Sequence, residues 1–400
     1  MQAVILAGGK GTRLGALTVG RPKPLLDVGG KPFIIFLIQS LKRFGFTDIL
    51  LLVGPFSLSY EEQLGDGLDL GVRLRRVPED PPADTAGALL HAAPYLERRF
   101  LLLNGDSFFD INLLDLASRH TRDPWLAWMS LREVEEVGRY GSVALSGSQV
   151  TRFGEKVGTG PGLINAGIYW LKRDILREVA ATPFSIERQL LPSLAARGLV
   201  RGTVYGGRFI DIGIPEDLAR ARTVLPKWEH RPAAFFDRDG VLNRDDGYVH
   251  RKEDFIWKKG AKRSIRHLND RGYWVFVVTN QAGIARGFYP PAAVERLHYW
   301  INRDLRRIGA HIDAFYYCPH HPTEGMNSYR TICSCRKPAP GMLLQAMREW
   351  SVDRATSFMV GDKNEDMMAA RAAGLKGVLN HDSDLEQLVQ RTLDEIGGVV

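Results

Sequence analysis

Phe235-Phe236-Asp237-Arg238-Asp239-Gly240-Val241-Leu242-Asn243 runs from apolar residues into two aspartates one residue apart, followed by a glycine. On a strand, residues i and i+2 share a face, so a strand tip ending Asp-x-Asp aims both carboxylates, Asp237 and Asp239, at one point. Like charges that close are costly unless a cation neutralises them. A hard, oxygen-seeking ion such as Mg²⁺ suits the place. Apolar runs at 233–236, 272–278 and 357–360 read as buried strands. The last two end in Thr279-Asn280-Gln281 and in Gly361-Asp362-Lys363-Asn364-Glu365-Asp366. Helical patterns lie between, at 261–270 and 341–350. Such alternation predicts a doubly wound parallel sheet, whose ligands gather at the carboxyl ends of the strands.

The chain has 400 residues, enough for two domains, with 44% hydrophobic and 25% charged residues, ordinary for a soluble globular protein. Residues 1–10 lack the charged and long apolar regions of a signal peptide, and no apolar run is long enough for a membrane span; a cytoplasmic protein is expected. The net charge of +7 admits a nucleic-acid partner. Arginines are spread along the whole chain, however, and no aromatic-plus-basic motif accompanies them. Phosphorylated small substrates explain the excess as well, so neither nucleic acid nor membrane is the expected partner, and the oligomeric state is not readable.

In the first half, residues 2–7 read as a short buried strand that enters Gly8-Gly9-Lys10-Gly11-Thr12-Arg13-Leu14. Glycines let successive N–H groups curl toward an anion. No Gly-Lys-Ser/Thr closes a Walker loop, and the third glycine of a dinucleotide fingerprint would fall at Leu14. Pro22-Lys23-Pro24 and Gly29-Gly30-Lys31-Pro32 follow. Prolines on both sides make the Lys23 ammonium a placed charge.

These segments, GGKGTRL and RPKPLLDVGGKP, resemble the sugar-phosphate nucleotidylyltransferases, and the resemblance extends over roughly residues 1–225. It implies a Rossmann-like mixed sheet. It also implies nucleotide contacts from Gly8, Gly9, Gly11 and Thr12 and from the ADTAGAL segment with Thr85 and Gly87. Sugar contacts are implied from Glu155, Lys156, Asn165 and Glu187. Arg13 would lie on the departing phosphates, Lys23 on the reacting ones, and Mg²⁺ between Asp106 and Asp211. Singly, Asp106 also suits a turn, Asp211 a helix cap, Glu155-Lys156 a surface pair and Asn165 a turn; their joint order selects the functional reading. One departure is Gly15-Ala16, where the family usually carries proline. The reaction implied is attack of a sugar 1-phosphate on the α-phosphorus of a nucleoside triphosphate, with pyrophosphate leaving.

Residues 224–232 carry two prolines and read as a short linker. The expected domains are 1–228 and 232–400. All three cysteines fall in Cys318-Pro319-His320-His321-Pro322 and Cys333-Ser334-Cys335. Cys318, His320, Cys333 and Cys335 can supply four ligands to a tetrahedral Zn²⁺. His321 competes with His320, and a disulfide or a buried apolar cysteine is the bland alternative. A closed site of this kind would be structural, stapling the loop that delivers Arg336-Lys337.

The order Asp-x-Asp-Gly, Thr279, Lys337, Gly-Asp-x-x-x-Asp resembles the haloacid-dehalogenase phosphatases. Within them, DRDGVLN, DDGYV, TNQAGIARG, YYCPHHP, CSCRKP and VGDKNEDM resemble the D-glycero-D-manno-heptose 1,7-bisphosphate 7-phosphatases, with histidinol-phosphate phosphatases as a sister branch. The resemblance implies Asp237 as nucleophile, Asp239 as acid and then base, and phosphoryl contacts from Thr279 and Lys337. Mg²⁺ would be held by Asp237, the Asp239 carbonyl and Asp362. Substrate contacts are implied from Asp245, Tyr248, Thr279, Asn280, Gln281 and Arg336; Ala282 stands where many members carry serine. The span from Asn243 to Tyr273 leaves no room for an inserted cap domain. Together the halves imply a bifunctional enzyme of heptose phosphates, with GTP the expected nucleotide. The alternatives are a histidinol-phosphate-type phosphatase fused to a hexose transferase, or a first half that senses nucleotide without catalysis.

Overall fold

The fold is described from a computed structural model covering all residues except 10, 19, 80–82, 139, 155–158, 181, 382 and 398–400, and the side chains of residues 12, 16 and 327. The chain divides into two units, Met1–Lys227 and Trp228–Val400. The first begins with β1 (Gln2–Leu6), then a short hairpin of β2 (Asp27–Val28) and β3 (Lys31–Pro32). After these come β4 (Asp48–Gly54), β5 (Arg73–Pro78), β6 (Arg99–Asn104), β7 (Ser107–Asp110) and β8 (Ala127–Val134). The rest are β9 (Val143–Ser146), β10 (Gln149–Phe153), β11 (Gly162–Lys172), β12 (Val200–Val204) and β13 (Arg208–Asp211).

Nine of these strands form one sheet in the order β5-β4-β1-β6-β11-β8-β12-β10-β9. β5, β4, β1 and β6 run parallel, and β11 turns the sheet mixed by pairing antiparallel to β6 and β8. Phe33–Arg43 is helical because Phe33, Ile34, Leu37, Ile38 and Leu41 recur on one face, and that face is buried. β1 pairs with β6 so that Leu6 faces Asn104. The glycine-rich turn and Asn104-Gly105-Asp106 therefore leave the sheet side by side. β7 and β13 form a separate antiparallel ribbon with Asp211 opposite Ser107, which carries Asp211 next to Asp106.

The linker expected at 224–232 is not what the structure shows. The helix Pro215–Trp228 continues through Pro226, and β14 (Arg231–Phe236) begins at once. A proline in the last turns forfeits one N–H bond, while buried Leu218, Ala221 and Leu225 still hold that helix to its unit. The Pro226 ring also packs where a Cβ on Gly29 would stand, 2.4 Å from its Cγ.

In the second unit β14 is followed by β15 (Trp274–Asn280), β16 (Ala314–Cys318), β17 (Val352–Gly361) and β18 (Lys376–Leu379). They form a five-stranded sheet, β16-β15-β14-β17-β18, with every pair parallel. β14 is apolar on both faces: Ala234 and Phe236 join one core, Ala233 and Phe235 the other. That is why its sequence is a continuous apolar run rather than an alternation. β17 starts at Val352, earlier than its apolar run, because Arg231 and Pro232 pair with Val352 and Asp353 beyond the buried segment. The order places the ends of β15, β14 and β17 together, and with them Thr279, Asp237 and Asp362.

Phe235 is fully buried, with its ring 5.1 Å from that of Phe276. Phe235→Ala is expected to destabilise the second unit by ~3–5 kcal/mol, read as an earlier urea transition for loss of phosphatase activity. A shift below ~1 kcal/mol would mean the site collapses around the vacancy at little cost.

Candidate functional sites

The carboxyl ends of β1, β4 and β6 border a cavity of about 650 Å³. Gly8, Gly9, Gly11, Arg13, Lys23, Thr85, Asp106 and Glu187 line it, as do Glu79, Asp84 and Asn104. Gly8 lies so close to β4 that an added Cβ would sit 2.9 Å from the Gly54 nitrogen, and Gly11 has φ +60°; both positions exclude ordinary side chains. Lys23 is buried with Nζ 2.7 Å from Asp106 Oδ2. The Ser107 hydroxyl lies 3.3 Å from Asp106 Oδ1 and 3.1 Å from Asp211 Oδ2, and the Gly213 N–H donates to Asp211 Oδ1 at 2.6 Å. Burial, then the neighbouring Asp106 charge, raises the Asp211 carboxyl above its ordinary range. Two carboxylates so close, one penalised by burial, suit a divalent cation.

Two other predicted residues stand off this wall. Gly87 is buried in the helix Asp84–His91, where a Cβ would meet Ala83 and Thr182. Asn165 bonds the Tyr169 hydroxyl at 2.7 Å; that hydroxyl donates to Glu187 Oε1 at 3.1 Å, and Asn104 Nδ2 donates to the same oxygen at 3.0 Å. Asn165 thus acts through Tyr169 on Glu187. Glu155, Lys156 and the Thr12 side chain lie outside the described residues.

The second site is a cavity of about 360 Å³ at the ends of β14 and β15. Asp237 is 7% exposed. Its Oδ1 accepts from Lys337 Nζ at 2.9 Å and from the Arg238 N–H at 2.7 Å. Lys337, itself 3% exposed, also reaches Asp366 Oδ1 at 2.7 Å and the Val278 carbonyl at 3.0 Å. Burial pushes Asp237 up to about 7; Lys337 pulls it down and Asp366 pushes it further up. Asp239 accepts from Arg238, from Asn243 Nδ2 at 2.9 Å and from Gln281 Nε2 at 3.0 Å. Gln281 is itself set by Thr279 and by the Tyr289 hydroxyl, both at 2.9 Å. Asn280 points elsewhere in effect: its amide clasps the Lys337 backbone through two bonds of 3.1 Å. Asp245, Tyr248, Arg336 and Lys363 complete the mouth, with Lys363 Nζ 3.3 Å from Asp245.

Oxygens of Asp237, Asp362 and Asp366 lie within 4.8 Å of one another. Asp362 Oδ1 is buried with no partner, and burial raises its carboxyl above the ordinary range. An orphaned buried carboxylate oxygen is what a divalent ion would satisfy. Asp366 is committed differently, to Lys337 and to the backbone N–H groups of Asp362 and Lys363. It therefore positions the lysine.

Cys318, His320, Cys333 and Cys335 also place one donor atom each within 4.8 Å of one another. The sulfurs are 3.2 to 3.6 Å apart and His320 Nδ1 is 3.4 Å from Cys335 Sγ. No disulfide joins them; arms of ~2.3 Å to a tetrahedral zinc give edges of roughly 3.8 Å, near what is seen. His321 is not the fourth donor, because its Nδ1 accepts from the Glu324 N–H at 2.9 Å. Arg336 follows directly and donates to the His320 carbonyl at 3.2 Å.

The fold and sites define a nucleotidyltransferase and a phosphatase on one chain. The nucleotidyl transferase family pattern matches residues 2–225, more than half of the chain, and the HAD-hydrolase-like pattern matches 334–383. A D-glycero-beta-D-manno-heptose-1,7-bisphosphate 7-phosphatase of Rhodopseudomonas palustris is 44% identical over 166 residues, 42% of this chain and 92% of that protein. The enzyme of the same name from Escherichia coli K12 is 47% identical over 144 residues, 36% of this chain and 75% of that one. The crystal structure of HddC from Yersinia pseudotuberculosis is 32% identical with a TM-score of 0.51, covering 56% of this chain and 99% of that one. HddC complexed with GMP-PN gives 31%, the same TM-score and the same coverage. The chain belongs to the nucleotidyl transferase family and, in its second activity, to the HAD-like phosphatases; it is a bifunctional enzyme.

Gly240 and Gly247 both have positive φ, but a Cβ on Gly240 would stand 2.2 Å from Asp362 Oδ2 whereas one on Gly247 meets nothing. Gly240→Ala is expected to lose phosphatase kcat by orders of magnitude more than Gly247→Ala. Equal losses would show that backbone strain alone matters and that Asp362 needs no such clearance.

Proposed function

We propose that the second unit removes the 7-phosphate of D-glycero-D-manno-heptose 1,7-bisphosphate and that the first transfers a guanylyl group from GTP to the resulting heptose 1-phosphate, in the cytoplasm. The observation that carries the phosphatase half is Asp237, with Oδ1 engaged by Lys337 and Oδ2 left to face phosphorus. Asp237 Oδ2 forms the P–O bond of an aspartyl phosphate as the sugar C–O oxygen leaves and takes a proton from Asp239. Asp239 then takes a proton from water, whose oxygen attacks phosphorus and releases phosphate and Asp237. Thr279 holds a phosphoryl oxygen, Lys337 supplies positive charge beside it while its three N–H bonds go to Asp237, Asp366 and the Val278 carbonyl, and Arg336 and Tyr248 border the sugar. Mg²⁺ would be held by Asp237, the Asp239 carbonyl and Asp362, and supplies charge neutralisation to the phosphoryl group.

In the first unit a sugar 1-phosphate oxygen attacks the α-phosphorus and pyrophosphate departs. Glycine-loop N–H groups, Lys23 and Arg13 receive the phosphates, and Glu187 receives sugar hydroxyls. Asp106 and Asp211 would hold Mg²⁺. Glu79 supports guanine: it lines the cavity, and its carboxyl accepts from the Ala83 N–H at 3.4 Å through Oε2. A carboxylate only accepts, and guanine alone presents adjacent N1–H and N2–H donors to it. The guanine nucleotide in the HddC complex agrees with this choice. Among the described residues no helix is long and apolar enough to cross a membrane.

Phosphate release from a panel of sugar bisphosphates tests the first half; the heptose 1,7-bisphosphate is expected to lead, and a histidinol phosphate preference would overturn the assignment. For the base, GTP should outcompete ATP, CTP and UTP, and Glu79→Gln, which offers a donor as well as an acceptor, should erode that preference by tenfold or more, about 1.4 kcal/mol. An unchanged preference would remove Glu79 from base selection. For the Cys318–Cys335 cluster, elemental analysis should find about one zinc per chain, with Cys333→Ser lowering both zinc content and phosphatase stability. Full phosphatase activity in zinc-free protein would reject a structural zinc.

A further inference from the structure

Arg238 has no exposure to solvent and is the largest such side chain among the described residues. Its Nη2 lies 2.8 Å from Asp239 Oδ2 and its Nε 3.2 Å from Oδ1, and Nη2 also donates to the Val249 carbonyl. Nη1 is turned away from Asp239 and meets His298 Nε2 at 3.4 Å. A guanidinium only donates, so Nε2 accepts and the ring proton sits on Nδ1. His298 is 5% exposed and stacks 4.3 Å from the Phe315 ring. Burial, and then the Arg238 charge, hold the ring well below the usual histidine range, consistent with a neutral donor.

Nδ1 makes no hydrogen bond among the described residues, yet it is not sealed from solvent. The ring lines a hollow of about 150 Å³ between the helix Pro291–Arg306 and edge strand β16, with Tyr299, Asn302, Arg303, Arg306 and Phe315. Asn302 is occupied by both backbone groups of Ile312. Besides Phe315, the remaining lining residues are His298, Tyr299, Arg303 and Arg306, with the Arg303 guanidinium 5.9 Å from the Tyr299 ring centre, and no carboxylate is among them. Arg303 and Arg306 also complement the carboxyl end of their helix, but that role does not involve the unpartnered His298 donor, which belongs to the same lining.

We propose that this hollow binds a compact oxyanion of the phosphate class, and that its occupation is felt at Asp239 through His298 and Arg238. An anion accepting from Nδ1–H makes Nε2 a stronger acceptor and brings negative charge toward the Arg238 guanidinium. Arg238 then holds Asp239 less firmly, and turnover falls. Phosphate is the product of the neighbouring site, so the device is a product brake. The coupling rests on the phosphatase reading of Asp237 and Asp239; the binding does not.

Sulfate, which cannot turn over, is the probe. Equilibrium dialysis of the full chain against labelled sulfate is expected to show more sulfate bound to the wild type than to the Arg303→Ala/Arg306→Ala double variant. In kinetics on a sugar bisphosphate, sulfate is expected to leave an inhibition that saturating substrate does not lift, several-fold weaker in the double variant, while the competitive part persists. Equal binding by both proteins overturns the site. Purely competitive inhibition of the wild type, or a substrate-insensitive part untouched by the double variant, overturns the coupling. A binding difference in a protein that turns over no sugar bisphosphate contradicts the phosphatase reading instead.

Discussion

One ammonium and two carboxylates share a space nearly closed to water at the end of β14: Lys337 between Asp237 and Asp366. Burying such charges costs several kcal/mol each and is offset only by close, well-partnered geometry. The second unit is arranged to supply it. β14 delivers Asp237, β17 and its following helix deliver Asp366, and Asn280 at the end of β15 clasps the lysine backbone. Without Lys337, Asp237 and Asp366 would face one another with only backbone N–H groups to offset burial, and one would be protonated. The parallel sheet is thus the frame that holds these three charged groups together out of water.

The same logic recurs in the first unit with less burial. Lys23 lies against Asp106, and Ser107 stands between Asp106 and Asp211. In both places a lysine positioned from a proline-flanked segment faces paired carboxylates. The difference lies in access. The first cavity is the larger and is walled partly by glycine backbone and by apolar Leu6, Leu52 and Pro55, as a nucleotide requires. The second is smaller and lined mostly by residues with polar side chains, as a sugar phosphate requires. Its mouth is formed by Tyr248, which stacks edge-on against Phe288, and by Arg336 beside the cysteine cluster.

Much of this was legible because local chemistry announces itself. Asp-x-Asp at a strand tip needs only the period of a strand to be read, and the cysteines and His320 needed only their spacing. That β14, β15 and β17 run parallel followed from apolar runs separated by helical patterns. Partners far apart in sequence were not legible. Nothing near Asn104 says that it meets Glu187, and nothing near Arg238 says that its guanidinium is buried between Asp239 and His298. Asp366 stands in its motif with no role that the sequence assigns, and its bonds make it a holder of Lys337. β16 was missed because its AFYYC residues are half-buried at a sheet edge, and the helix past Pro226 because proline propensity outweighs, locally, the packing of Leu225.

The central claim is that each unit carries its own complete reaction. Asp106→Asn and Asp237→Asn full-length proteins, assayed separately and mixed, with heptose 1,7-bisphosphate, GTP and Mg²⁺, test it most directly through the yield of nucleotide sugar. Each variant alone should yield almost none, Asp237→Asn should still convert supplied heptose 1-phosphate, and the mixture should restore product through diffusion of the monophosphate. If folded Asp237→Asn protein fails on supplied heptose 1-phosphate, or the mixture stays inactive, the account of two independent sites is wrong.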